Sequence, residues 1–342
     1  MVTIKQIADE AGVSRGTVDR VINHRAGVNP DTEKKVRKIA EQLGYQPSVP
    51  GKMLAAKKKK IEIGFIIYDT PVALFFQDIY AAAKEKAMEL EHLGVKVRFY
   101  RAESLEHDYM VSFLEKVERE PLDGLIISPL HLPAITSFLK KMEKINMPMV
   151  FYNLDEEESN CLCYVGCDYK KAGRVAAGLV ALSIGNCGKV GIATVLDKKS
   201  PSSYERMTGF KQEIRKNYPD IEIINDEEHV LFGENDYSEI INTVRLHKDL
   251  KAMYIINPGD CNIYSVVLEA SENKGLKIVT NDLLKRQREL LGQGVITATI
   301  DQQPDVQGTL PLQILYDYLV FNKKMEKNKI FTELHIYIQQ NL

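Results

Sequence analysis

No run of eighteen or more apolar residues occurs in the 342-residue chain, which excludes a helix of membrane-spanning hydrophobic length. The opening MVTIKQIADE also lacks the basic, apolar and small-residue order of a secretory signal, so a cytoplasmic protein without membrane contact is expected. Cysteine is scarce. Five residues, an odd number, do not make a disulfide framework, and a reducing compartment is the simpler reading. The one cluster, Cys161, Cys163 and Cys167 in CLCYVGC, reads as a strand and lacks the second ligand pair that zinc needs, so no metal is expected. Enzyme signatures are missing too. There is no G-x-S-x-G elbow, no G-x-x-x-x-G-K-[ST] loop and no H-E-x-x-H, and GNCGKVG has the wrong glycine spacing for a dinucleotide fingerprint. The seven histidines are scattered. These absences argue against an enzyme and against a bound cofactor.

What is present is a chain with 44% apolar and 27% charged residues, long enough for two or three folded units. Its charge is unevenly spread. Residues 1–60 carry 13 Lys and Arg against 6 Asp and Glu, whereas the remainder carries 32 against 41. A compact basic segment on an acidic body suggests that the front end alone meets a polyanion.

Within that segment, Thr3 and Gln6 fit a capping box, followed by Ile4, Ile7, Ala8 and Ala11 at helical spacing, and Gly12 stops the helix. Ser14 caps a second helix that buries Val18, Val21 and Ile22 and leaves Arg15, Gly16, Asp19 and Arg20 on other faces. A third runs from Asn29-Pro30, buries Val36, Ile39, Ala40 and Leu43, and ends at Gly44. Two short helices joined by a Gly-containing turn and supported by a third make a helix-turn-helix. The second helix of such a unit enters the major groove, where an arginine can donate two hydrogen bonds to guanine O6 and N7.

The stretch VTIKQIADEAGVSRGTVDRVINHRAGVNPDTEKKVRKIAEQLGYQPS resembles the headpiece of the LacI/GalR (lactose-repressor) family over its whole length. The resemblance implies base reading by Arg15, Gly16 and Arg20, and phosphate contacts by Ser14, Thr17 and Asn23. Two departures stand out. Gly16 offers no side chain where the family has a polar reader, and Asp19 replaces a serine; Asp19 either accepts from cytosine N4 or orients Arg15 or Arg20. In PSVPGKMLAAKKKK, Leu54 matches the hinge-helix leucine that wedges into a central minor-groove step. Pro50-Gly51 departs from the alanine-rich family hinge, so order there is expected only with DNA and a second subunit bound. Lys57–Lys60 then lie near phosphates or serve as a solubilising linker.

From residue 61 the pattern alternates. IEIGFII, KVRFY, DGLIISP, PMVFYN, KVGIATV, KAMYIIN and LKIVTND read as strands, separated by amphipathic stretches such as FFQDIYAAAKEKAMEL and YMVSFLEKVER. The expected fold class is therefore α/β: an all-α helix-turn-helix headpiece followed by two doubly wound α/β subdomains. The expected boundaries are headpiece 1–47, hinge and linker 48–60, and body 61–342. Polar residues stand at strand ends, among them Asn153, Asp282 and Gln302, where such sheets bind ligands.

The stretches YVGCDYKKAGRVAAGLV, SSYERMTGF, IVTND and GVITATIDQQPDVQG resemble the type I periplasmic sugar-binding fold, which the family carries as its effector domain. The resemblance places Arg206, Asp282 and Gln302 on sugar hydroxyls and Phe75 and Phe76 against the sugar faces, with core packing as the other role open to the two rings. Asn153 and Leu154 stand where ribose-type binders have an acid and an arginine, and Asn257 aligns approximately within NPGDCN, which leaves the sugar's identity open. The expected protein is a transcriptional regulator, most often a repressor in this family. Its expected partners are double-stranded operator DNA, a carbohydrate effector and a second copy of itself. A regulator controlled by a partner protein and a sugar-binding receptor are the alternatives. The tail FTELHIYIQQNL has no leucine heptads, which favours a dimer.

Overall fold

The computed structural model describes residues 2–22, 26–45, 51, 57–70, 74–194, 200–224, 231–232, 237–257 and 261–342. The chain divides into two compact units, Met1–Lys60 and Ile61–Leu342.

The first unit contains α1 (Ile4–Ala11), α2 (Arg15–Ile22) and α3 (Pro30–Gln42). Their ends follow local chemistry. The Gln6 amide donates to Thr3 Oγ1 at 3.3 Å and the Thr3 amide donates to Gln6 Oε1 at 2.8 Å, completing the capping box. Gly12, at φ 66°, ends α1 in the left-handed region that glycine tolerates. Ser14 Oγ accepts from the Thr17 amide at 3.1 Å, and Asn29 Oδ1 accepts from the Asp31 amide at 2.9 Å. Ile7, Ala8, Ala11, Val18, Val21, Val36 and Ala40 form the core, as the helical spacing predicts. Ile22, Ile39 and Leu43 are only half-buried, because so small a unit cannot enclose every apolar position. Gly51 and residues 57–59 are helical, whereas Asn23 and Leu54 lie outside the described residues.

The second unit is built on two sheets. The strands are β1 (Ile61–Tyr68), β2 (Val95–Ala102), β3 (Gly124–Ile127), β4 (Met149–Tyr152), β5 (Cys163–Gly166), β6 (Gly188–Thr194), β7 (Ile221–Ile223), β8 (Leu231–Phe232), β9 (Leu250–Ile255), β10 (Lys277–Asn281), β11 (Ala298–Asp301), β12 (Lys329–Phe331) and β13 (His335–Tyr337). One sheet runs β12-β5-β4-β3-β1-β2 and is parallel throughout. The other runs β13-β11-β10-β9-β6-β7, with β8 paired to β6 and β13 antiparallel to β11. Helices cover both faces, which explains the near-continuous apolar runs of the central strands. In the second sheet, for example, Ile192, Tyr254 and Val279 pack against Ala177 and Phe210, while Met253, Ile255 and Ile278 pack against Ile263, Val267 and Leu291.

The chain passes between the sheets after β5, β11 and β12. The passages are tied together: the Thr332 amide donates to the Gly166 carbonyl at 2.8 Å and the Glu333 amide donates to Gln303 Oε1 at 2.7 Å. The carboxyl ends of both sheets therefore border the cleft spanned by these passages. Strands β12 and β13, three residues each and largely half-buried, were not expected from the sequence, since their apolar signal is too short. Among the described residues, no helix is long and apolar enough to cross a membrane.

Candidate functional site

Glycine sets the position of the most buried charge in the second unit. The helices Tyr169–Ile184 and Pro201–Asn217 approach so closely that a Cβ on Gly173 would lie 1.9 Å from the Arg206 carbonyl oxygen, and one on Gly209 would lie 2.0 Å from that of Lys170. This contact leaves Arg206 only 2% exposed. Its guanidinium lies over the Tyr169 ring, 4.8 Å from the centroid, and donates to Asn257 Oδ1 at 3.1 Å. Asn257 in turn donates to Ser203 Oγ at 2.6 Å. Arg206 Nε is buried without a hydrogen-bond partner.

Beside this cluster stands Asp282, one residue beyond β10 and in the left-handed region at φ 68°. Gln302, one residue beyond β11, donates from Nε2 to Asp282 Oδ1 at 2.6 Å, and Gln307 donates to the Gln302 carbonyl at 2.8 Å. The side-chain carbonyls of Gln302 and Gln307 are buried and unpartnered. Burial pushes the Asp282 carboxyl above the ordinary carboxylate range, and the Arg206 charge and the Gln302 hydrogen bond pull it back. Arg206, Asn257, Asp282 and Gln302 are thus brought together, on three strand ends and one helix.

The other candidates lie on the first sheet's side. Asn153, one residue beyond β4 and at φ 61°, is buried, and its backbone carbonyl accepts from the Tyr164 and Tyr169 hydroxyls, each at 2.7 Å. Phe76 packs edge-on against Tyr68 and Tyr152 at 5.4 and 6.0 Å, so its ring joins the first sheet's core; Phe75, 6.2 Å from Phe76, is half-buried. Of the cysteines singled out from the sequence, burial pushes the Cys161 and Cys167 thiols up to about 12 and that of Cys163 up to about 11, which keeps them protonated and unreactive at neutral pH.

On the first unit, Ser14, Arg15, Gly16 and Arg20 are exposed and Thr17 is half-buried. The face of α2 opposite Val18 and Val21 therefore presents both arginines to solvent. Half-buried Asp19 faces Tyr45, whose phenol is raised by burial and then by the Asp19 charge.

Residues 3–48 match the family model described as bacterial regulatory proteins, lacI family, and residues 63–324 match that of the periplasmic binding protein domain. The chain belongs to the LacI family. This LacI-family protein is a DNA-binding transcriptional regulator with a periplasmic-binding-protein-like second unit. Among its curated relatives are the ribose operon repressor of Lactococcus lactis, 23% identical over 100% of this chain and 98% of that protein, and the catabolite control protein A of Priestia megaterium, 26% identical over 82% and 80%. The second unit shares its fold with GanP, described as a glucose-galactose binding protein from Geobacillus stearothermophilus. The TM-score is 0.70 at 20% identity, covering 82% of this chain and 98% of that one.

Several groups in the LacI-family cleft escape a reading of the sequence. Tyr169 is the ring beneath Arg206. Thr70 Oγ1, just beyond β1, and Ser128 Oγ, just beyond β3, are buried without hydrogen-bond partners. Asp78, on the helix Leu74–His92, is solvent-accessible, yet its carboxyl is raised by desolvation and then by the Asp282 charge. The strand-end rule that singles out Asn153 and Asp282 also reaches Thr70 and Ser128. Asp78 is mid-helix and carries no such signal.

Proposed function

We propose that this regulator represses transcription as a cytoplasmic homodimer under the control of a sugar or sugar-like effector bound in the cleft between the two sheets. The observation that carries the reading is the buried cluster of Arg206, Asn257, Asp282 and Gln302, in which Arg206 Nε and Gln302 Oε1 have no hydrogen-bond partner among the described residues. Leaving such groups unpaired costs roughly 1–3 kcal/mol each, and a ligand bearing hydroxyls relieves that cost. Asn153 adds a further amide, and Phe75, beside the core-packed ring of Phe76, supplies apolar area for a sugar face. The relative described as a ribose operon repressor, matched over its near-full length, supports the same class of control.

On the DNA side, Arg15, Gly16 and Arg20 read base edges while Ser14, Thr17 and Asn23 hold phosphates, with Leu54 at the operator centre. In this reading 1–47 is the headpiece, 48–60 the hinge and linker, and 61–342 the effector-binding and dimerisation body. Closure of the cleft on the effector shifts the hinge segments relative to each other and so changes operator affinity.

The test is a thermal-shift screen of the full chain against pentoses, hexoses and polyols, followed by operator gel shifts with the hit. A ligand that binds only the folded state raises the melting temperature. Arg206→Ala is expected to abolish the shift and the effector response while operator binding remains. Equal loss of operator binding would reduce Arg206 to a structural role.

A further inference from the structure

Gln302 bonds in two directions. Its side chain donates to Asp282 Oδ1 at 2.6 Å within the buried cluster, and its backbone carbonyl accepts from Gln307 Nε2 at 2.8 Å. The two partners lie on opposite sides of the passage after β11. Asp282 follows β10 of the second sheet, whereas Gln307 stands near the start of the helix Pro304–Phe321, which packs on the first sheet's side. There a Cβ on Gly308 would lie 2.4 Å from the carbonyl oxygen of Ile79, in the helix Leu74–His92, and one on Gly124 of β3 would lie 3.1 Å from Leu315 Cδ2.

The passage itself is held at a cost. Gln303 crosses it in the left-handed region at φ 53°, which a residue other than glycine adopts unwillingly. Its Oε1 accepts from the Glu333 amide at 2.7 Å, so the passage after β12 hangs on the same residue. Gln307 is fully buried, and the Gln302 carbonyl fixes its orientation: Nε2 faces that oxygen, and Oε1 is left without a hydrogen-bond partner among the described residues. An apolar side chain of similar size would avoid that cost. Stability therefore does not account for an amide here, whereas the bond to Gln302 gives the helix a fixed hold on the Asp282 cluster.

We propose that Gln307 couples effector to operator, as a positioning residue that does not itself touch the sugar. It passes the placement of Gln302, set by the effector, to the helix Pro304–Phe321 and through the Gly308 contact to the helix Leu74–His92. That helix follows β1, which begins at Ile61 directly after the first unit. The inference rests on the sugar reading above and adds a route from that site to the hinge. Coupling requires an element with two arrangements that effector and operator favour differently. A passage that carries a left-handed glutamine and an unmet buried oxygen is suited to give way to a second arrangement.

The experiment compares the native full chain with Gln307→Met. Calorimetry without DNA gives the affinity for D-ribose, D-glucose and D-galactose. Fluorescence anisotropy gives the affinity for an operator duplex selected from random sequence, with and without a saturating amount of whichever sugar binds. In the native chain the two operator affinities should differ by about 5–150-fold. Gln307→Met should shrink that ratio by about threefold or more, while the melting temperature and the operator affinity without sugar stay native, a split that lost packing would not produce. Should Gln307→Met fail to fold, Gln303→Gly decides in its place: it suits the backbone, removes the tie to Glu333 and should shrink the ratio likewise. A native ratio in the deciding variant overturns the coupling while leaving the sugar reading intact. An equal fall in operator affinity with and without sugar would make the residue structural and also overturns it. Silence of all three sugars, with the native chain folded and binding operator, overturns the sugar reading and this inference with it.

Discussion

At Arg206 a guanidinium is taken out of water, and the groups around it decide whether that is tolerable. A buried ion pair contributes little net stability, but removing one partner leaves the other uncompensated. Arg206→Ala should therefore destabilise the second unit by about 3–5 kcal/mol at neutral pH. The pH dependence has a definite sign. The Asp282 carboxyl already sits above its ordinary range through burial, and loss of Arg206 raises it further. An acid whose pKa is raised by folding is destabilising once ionised, and that cost begins to fall as pH drops through the raised value and is gone below the acid's ordinary pKa. The deficit of Arg206→Ala, followed by urea denaturation, should shrink between neutral pH and pH 5, and adding Asp282→Asn should restore part of it. A deficit independent of pH would mean that lost packing on Tyr169 dominates. Asp301 obeys the same rule on its own. Burial pushes it up to about 6, so a cost to folding builds as pH rises from the ordinary carboxylate range and is complete above about 6. Asp301→Asn keeps an acceptor for the Gln303 amide, bonded at 3.1 Å, and is expected to stabilise the chain by about 1–2 kcal/mol at pH 7.5, by less at pH 5 and by nothing measurable near pH 3.

The helix pair Tyr169–Ile184 and Pro201–Asn217 shows how an element positions a side chain. At Gly173 the contact is with backbone, a Cβ lying 1.9 Å from the Arg206 carbonyl oxygen, so no rotamer change can relieve a substitution. Gly173→Ala is expected to separate the helices, lower stability by about 1–3 kcal/mol and weaken the effector response, while operator binding by the separate first unit persists. Thermal melting alongside gel shifts would check it, and an unchanged effector response would show that Arg206 tolerates the displacement. Elements of this kind divide what a sequence reveals. The three headpiece helices and the central strands are legible because their caps and apolar periods are local: Thr3 with Gln6, Ser14 with Thr17, Asn29 with Pro30, and runs such as IEIGFIIY. The strand ends point to Asn153, Asp282 and Gln302 for the same reason. Strands β12 and β13 and the Tyr169 platform are not legible, since their roles arise from chain passages that join distant residues, as when the Thr332 amide meets the Gly166 carbonyl. The rings of Phe75 and Phe76 carry the same apolar signal in a pocket or a core; packing against Tyr68 and Tyr152 gives Phe76 a part in the core.

Across the whole molecule, opposite charge is sorted onto two separately folded units. The positive excess of residues 1–60 lies on the unit that carries α2, and the negative excess lies on the body. A body of the opposite sign adds nothing to DNA affinity and repels phosphates that stray from the headpiece, so affinity depends on a small set of cations and falls steeply with salt. Lys57–Lys60, all exposed, end the first unit, and their contribution separates two roles. If they meet operator phosphates, replacing all four by glutamine should lower the slope of log affinity against log salt by at least about two, given ~0.9 per phosphate contact. The preference for operator over unrelated DNA should hold, because phosphate contacts carry no base information. Effector affinity, measured without DNA, should also be unchanged. A salt slope equal to that of the native chain would make the run a spacer. Operator recognition would then rest on the α2 face and its two arginines, where Arg15→Ala or Arg20→Ala should lose specificity and affinity together, by about 1–3 kcal/mol for each bidentate contact.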